Sequence, residues 1–124
     1  MLPNNINVLL VEDTVSNTEA ISLILIGEGY NVSTLSENIS LNSIKILRPQ
    51  IILLDLLLKG CNGWEICRQM KNDDELSNIP VILVSATMDL EKTAKNLKAD
   101  DYLEKPFDMQ VLINKVGLLL SDRK

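Results

Sequence analysis

The 124-residue chain contains no histidine. That absence removes Ser-His and Cys-His nucleophilic catalysis, histidine-ligated metals and any phosphohistidine carried by the chain itself. Chemistry here has to run on carboxylates, lysine, hydroxyls or a hard metal ion. Cysteine is almost as scarce. Cys61 and Cys67 stand six positions apart, which is not a C-x-x-C pair, and without histidine they complete no zinc site. Both read as plain reduced thiols. Basic charge is also short, with 12 Lys and Arg against 17 Asp and Glu and a net charge of −5. A nucleic-acid-binding face is normally basic, so no direct nucleic-acid binding is expected. No apolar run approaches the roughly 18–20 uncharged residues that span a bilayer, and the opening MLPNN lacks the charged and apolar regions of a signal peptide. The expectation is a cytoplasmic protein with no membrane partner.

What is present is enough apolar sequence for one core. Hydrophobic residues make up 46% and charged residues 23%, close to the average for globular proteins. No linker, low-complexity segment or repeat interrupts residues 1–124, which read as a single domain. Two apolar patterns alternate along it. INVLLV (6–11), YNVSTL (30–35), IILLD (51–55), VILVS (81–85) and DYLE (101–104) are short and rich in β-formers, as strands require. Helical spacing fills the intervals. One helix is expected over about 15–28 with Ile21, Leu23 and Leu25 inward and Gly29 as its stop. A second covers about 39–47 and closes at Arg48-Pro49. A third opens near Gly63 and carries Ile66 and Met70. A fourth follows Asp89 as N-cap, with Leu90, Ala94 and Leu97 inward. The fifth follows Asp108, with Val111, Leu112, Val116 and Leu119 inward.

Strands alternating with helices predict an α/β fold, a doubly wound parallel sheet joined by right-handed crossovers. Strands one, three and four are the most continuously apolar and belong at the centre. Strands two and five are mixed and belong at the edges, which gives the order 2-1-3-4-5. Ligands of such sheets bind beyond the carboxyl ends of the strands, near the switch between strands one and three.

Seven of the eight residues 51–58 are Ile or Leu, and the eighth is Asp55. An ionised carboxylate in such a segment costs several kcal/mol unless partnered. Asp55 stands where its strand surfaces, and the other strand ends supply it with company. Strand one ends in Glu12-Asp13, strand four in Ser85 followed by Ala86-Thr87, and strand five is followed by Lys105-Pro106. Three carboxylates, a hydroxyl and an ammonium thus reach one rim. The carboxylates repel one another and one lysine cannot neutralise them. Oxygen ligands without histidine or thiolate select Mg²⁺, Ca²⁺ or Mn²⁺. A carboxylate, a metal, a lysine and a hydroxyl around one point suit phosphoryl chemistry with an Asp as nucleophile.

The segments VLLVED (8–13), IILLDLLLKGCNGWE (51–65), PVILVSA (80–86) and ADDYLEKPF (99–107) resemble the response-regulator receiver domains of bacterial two-component signalling, the chemotaxis regulators among them, over essentially the full chain. The resemblance implies a flavodoxin-like (βα)₅ fold and a signalling phosphoacceptor rather than an enzyme. Asp55 would take a phosphoryl group from a phosphohistidine on a histidine kinase or histidine phosphotransfer protein. It implies Mg²⁺ or Mn²⁺ held by Glu12 (through water), Asp13, Asp55 and the backbone carbonyl of Leu57. Ser85, the Ala86 backbone N–H and Lys105 would contact the phosphoryl group, and Tyr102 would be the aromatic switch. The Lys105-Pro106 bond would be cis, a geometry only X-Pro adopts cheaply. A downstream target or a second copy would read the face built by the fourth helix, fifth strand and fifth helix.

Two loop positions depart from the family. Lys59 stands where proline is common, and Lys98 where glycine is common. Leu57, two residues after the acceptor, cannot hydrogen-bond a water, so slow self-dephosphorylation is expected. Other classes fit less well. A haloacid-dehalogenase-type phosphatase wants a second acid at Leu57, and a flavodoxin wants a glycine- and hydroxyl-rich phosphate loop where this chain has VEDTVSN. A phosphorylation-independent pseudo-receiver is the remaining alternative, although its usual mark, loss of an acid or the lysine, is missing. The chain stops at Lys124, just after the fifth helix, so no output domain is expected within it.

Overall fold

Strand and helix alternate ten times in a computed structural model that describes residues 6–37, 39–58 and 62–121. In chain order the elements are β1 (Asn7–Val11), α1 (Val15–Gly27), β2 (Asn31–Leu35), α2 (Leu41–Leu47), β3 (Ile51–Asp55), α3 (Gly63–Lys71), β4 (Val81–Ser85), α4 (Leu90–Leu97), β5 (Asp101–Glu104) and α5 (Met109–Ser121). All five strands are parallel and form one sheet in the order β2-β1-β3-β4-β5. Lys59 and Cys61 lie outside the described residues.

The period-two alternation of the strands builds two cores. Val8, Leu10, Ile51, Leu53, Ile82, Val84 and Leu103 point to one face and meet Ile21 and Leu25 of α1 and Leu112 and Val116 of α5. Leu9, Val11, Ile52, Leu54, Val81 and Leu83 point to the other and meet residues of α2, α3 and α4, including Ile44, Met70 and Leu97. Because β3 and β4 are covered on both faces, every one of their residues is buried. That is why they carry no alternating polar positions. Each fully buried Ile or Leu contributes about 1.5–3 kcal/mol, so the strand that ends in Asp55 is firmly placed.

Helix ends follow local chemistry, with three departures from expectation. The Ser40 hydroxyl accepts the Ser43 N–H at 3.1 Å while the Ser43 hydroxyl accepts the Ser40 N–H at 2.9 Å, so α2 begins at Leu41. The Asn62 side chain caps α3 by accepting the Glu65 N–H at 3.2 Å. Asp89 precedes α4 but has φ 55° and makes no side-chain cap bond; its left-handed backbone turns the carboxylate away from the helix N–H groups. Leu23 and Val111 are 71% and 41% exposed rather than inward. At about 100° per residue, Leu23 lies roughly 200° from its neighbours Ile21 and Leu25, and Val111 lies off the Leu112–Val116 stripe. Lys98 closes α4 at φ 62°, a left-handed position that glycine adopts without cost and lysine does not.

Candidate functional site

Register along the sheet assembles the rim. β1 and β3 pair Val11 with Leu54, which brings Glu12, the next residue on one, beside Asp55, the next on the other. β3 and β4 pair Asp55 with Val84, so Ser85 stands one step beyond. β4 and β5 pair Ser85 with Glu104, and Lys105 follows.

Lys105 joins the two buried acids. Its Nζ donates to Asp55 Oδ2 at 2.9 Å and to Glu12 Oε1 at 3.0 Å. Glu12 is 2% and Asp55 5% exposed, so both charges are out of water and depend on partners. The second Asp55 oxygen, Oδ1, accepts the Leu57 N–H at 2.9 Å, and Glu12 Oε2 accepts the Thr14 N–H at 3.2 Å. Burial works against the Lys105 ammonium, but the hydrogen bonds to Asp55 and Glu12 outweigh it and hold its pKa above the ordinary lysine value. Asp13 is half-buried beside them, and one carboxylate oxygen from each of Glu12, Asp13 and Asp55 lies within 4.8 Å of the others. An oxygen-only, three-carboxylate cluster of this span can hold a hard divalent cation. A cleft of about 180 Å³ lined by Glu12, Asp13, Thr18 and Thr34 opens beside it.

The remaining expected residues are placed with less convergence. Ser85 is fully buried, but its hydroxyl lies 2.6 Å from that of Thr87 rather than on the Lys105 network. Ala86 is exposed at the same rim. Leu57 turns its side chain to solvent, 55% exposed, while its N–H donates to Asp55 Oδ1. The Lys105-Pro106 peptide is cis. Tyr102 is half-buried on β5, with the Lys115 Nζ 5.3 Å from its ring centroid.

Two residues escaped sequence reading. Thr87 holds the Ser85 hydroxyl, a contact signalled only by one hydroxyl following another at i+2. Gly63, buried at the start of α3, lies against the turn after β3. A Cβ there would come within 2.7 Å of Leu56 Cα and 2.8 Å of the Asp55 carbonyl oxygen. The clue was a glycine at a helix start, where it would otherwise be a poor choice.

Sequence comparison decides the family, since residues 8–117 match the response regulator receiver domain. The chain belongs to that family. Two-component receiver domains are signalling modules, and the observed 2-1-3-4-5 sheet is their flavodoxin-like fold. Among curated relatives, the DNA-binding response regulator MtrA of Mycobacterium tuberculosis is 34% identical over 112 residues, which are 88% of this chain and 48% of that protein. The transcriptional regulatory protein CseB of Streptomyces coelicolor is 38% identical over 117 residues, 92% and 49% of the two chains. The receiver thus spans about half the length of these relatives. Among solved structures, the receiver domain of a signal transduction histidine kinase from Syntrophus aciditrophicus superposes with a TM-score of 0.87 at 30% identity, covering 95% of this chain and 92% of that one. The receiver domain of the Pseudomonas aeruginosa sensor histidine kinase PA1611, solved with a magnesium ion coordinated in the active site cleft, gives 0.83 at 25%, covering 93% and 97%.

These relatives correct one expectation. Acidic charge predicted no direct nucleic-acid binding, yet MtrA is a DNA-binding response regulator. The charge of this receiver speaks only for the residues it contains, and those match 48% of MtrA. Among the described residues, no helix is long and apolar enough to cross a membrane.

Proposed function

We propose that Asp55 accepts a phosphoryl group from a phosphohistidine on a partner histidine kinase or histidine phosphotransfer protein, and that the change alters partner binding at the α4-β5-α5 face. The observation that carries this reading is the buried Glu12–Lys105–Asp55 network with Asp13 alongside. Asp55, Asp13, Glu12 and the Leu57 carbonyl would hold Mg²⁺ or Mn²⁺. The bound cation would supply charge neutralisation between an anionic acceptor and an anionic phosphoryl group. An Asp55 oxygen forms its bond to phosphorus as the phosphorus–nitrogen bond breaks, and the imidazole nitrogen keeps the electron pair. Lys105, freed from Asp55 Oδ2, follows the negative charge onto the phosphoryl oxygens. Ser85 and the Ala86 N–H donate to the same oxygens.

Phosphorylation raises the local charge from about −1 to about −2 and adds acceptor oxygens. Movement of Ser85 makes room for Tyr102 to turn inward, and a target or a second copy of the chain that prefers one arrangement shifts the population toward it. Leu57 offers no hydrogen bond to an attacking water, so the acyl phosphate is long-lived. Incubation with Mg²⁺ and acetyl phosphate tests the proposal. Intact-mass measurement should show a single added phosphoryl group in the wild type and none in Asp55→Asn. Equal labelling of the two proteins, or none of either, would rule it out.

A further inference from the structure

Ser85 is 0% exposed at the end of β4, and its hydroxyl is already engaged. Its Oγ lies 2.6 Å from Thr87 Oγ1, either of which can donate, and the Thr87 N–H donates to the same Ser85 oxygen at 3.3 Å. The Ser85 backbone is held as well, since its carbonyl accepts the Lys105 N–H at 3.0 Å. The strand end is therefore fixed, and the hydroxyl reaches a group on Asp55 by rotation of the side chain. That rotation breaks the bond to Thr87. A hydroxyl as deeply buried as that of Ser85 loses free energy if it lets go of one partner before another is available, so the two bonds exchange.

We propose that Thr87 is a positioning residue that holds the Ser85 hydroxyl in the resting state and thereby sets the cost of bringing it to a phosphoryl group on Asp55. The proposal rests on the reading of Asp55 as acceptor and adds to it a residue outside the expected site. Its sign follows from where each hydroxyl is satisfied. Without the Thr87 hydroxyl, the resting Ser85 loses a partner while remaining buried. The phosphoryl-bound state keeps the phosphoryl oxygen as its partner. The balance moves toward the bound state by about the worth of one net hydrogen bond, roughly fivefold in an equilibrium constant. Thr87→Val removes the hydroxyl at nearly constant shape, and Thr87→Ser restores it.

The test is a titration of the full chain with beryllofluoride and Mg²⁺, a mimic of an aspartyl phosphoryl group, read by fluorescence of Trp64, the one tryptophan, and by amide spectra of Ser85 and Thr87. Thr87→Val should half-saturate at about fivefold lower beryllofluoride, Thr87→Ser should match wild type, and Thr87→Ala, as an independent removal, should follow Thr87→Val. In a Ser85→Ala background the Thr87 changes should have no effect. Unchanged or weaker binding in both Thr87→Val and Thr87→Ala, or the same gain without Ser85, overturns the proposal while leaving Asp55 as acceptor. No saturation in wild type beyond that of Asp55→Asn overturns the acceptor reading and this proposal with it.

Discussion

The Lys115 ammonium of α5 lies 5.3 Å from the centre of the Tyr102 ring on β5, and its Nζ is anchored 2.9 Å from Asp101 Oδ1. A cation over an aromatic face holds the ring by about 0.5–1 kcal/mol at a partly exposed site. Lys115→Met should therefore loosen Tyr102 from its present position. Burial and the Glu91 carboxylate push the Tyr102 phenol above its ordinary pKa, and Lys115 pulls it down. Ultraviolet titration should show the Tyr102 ionisation moving further up in Lys115→Met, with Tyr30→Phe as the background that isolates it. An unchanged titration would mean that the ammonium does not act on the ring in solution.

Lys105 neutralises two acids that are almost wholly buried. Removing one partner of such a group leaves the others buried and unpaired, at a cost of about 3–5 kcal/mol. Lys105→Met should lower stability by that order in urea unfolding. Added Mg²⁺ should recover more stability in this variant than in wild type, because a cation on Glu12, Asp13 and Asp55 replaces the lost charge. Equal Mg²⁺ effects in both proteins would count against a cation at these carboxylates.

Gly63 allows α3 to lie on the turn that follows Asp55. The atoms a Cβ would strike are backbone, Leu56 Cα and the Asp55 carbonyl, so the turn itself has to shift. Gly63→Ala should cost about 1–3 kcal/mol and weaken beryllofluoride binding, even though residue 63 touches no ligand. Unfolding and binding measured on the same sample separate the two effects.

Leu57→Asn places an amide two residues after Asp55 where the wild type offers a half-exposed aliphatic side chain. The lifetime of the phosphorylated form should shorten severalfold, measured by decay of the labelled protein after removal of acetyl phosphate. A lifetime equal to or longer than wild type would remove the role given to Leu57.

Burial pushes the Cys67 thiol up to about 11, with Asp100 adding to the shift and Lys71 opposing it. An unfolded thiol ionises near 8.5. Between about pH 9 and 11 the unfolded chain therefore holds fewer protons at this residue than the folded one, so stability falls as pH rises. Lys105, with its pKa raised by Asp55 and Glu12, contributes stability that is complete below about 10.4 and is lost as pH rises through its folded value. Urea unfolding should weaken from about pH 9 upward, by on the order of 3 kcal/mol for the thiol alone. Cys67→Ala should flatten the lower part of that decline, and a thiol reagent at pH 8 should leave Cys67 intact in a Cys61→Ser background.

Much of this protein was legible in its sequence because the relevant physics is local. Apolar runs such as IILLD and VILVS have one comfortable environment, the centre of a sheet covered on both faces, and that puts Asp55, Glu12-Asp13, Ser85 and Lys105 at strand ends. Strand order followed from which runs tolerated a polar residue. Helix faces were less secure. Leu23 and Val111 are as hydrophobic as their buried neighbours, and only the rotation of the helix excludes them. The nucleic-acid expectation failed for a different reason, because net charge describes the residues present and not a longer relative's other half.

Tertiary structure decided which atoms meet. No pattern of residue types says that Lys105 bridges Glu12 and Asp55, that the N–H of Leu57 faces Asp55, or that the buried Ser85 hydroxyl meets that of Thr87. Those pairings depend on strand register and on distances of a few tenths of an ångström, which are properties of the packed chain. Sequence by itself determined the fold and the chemical inventory of the rim, because hydrophobic periodicity and strand ends are written residue by residue. The assignment of each hydrogen bond came from packing, because a side chain's partner is chosen by everything that surrounds it.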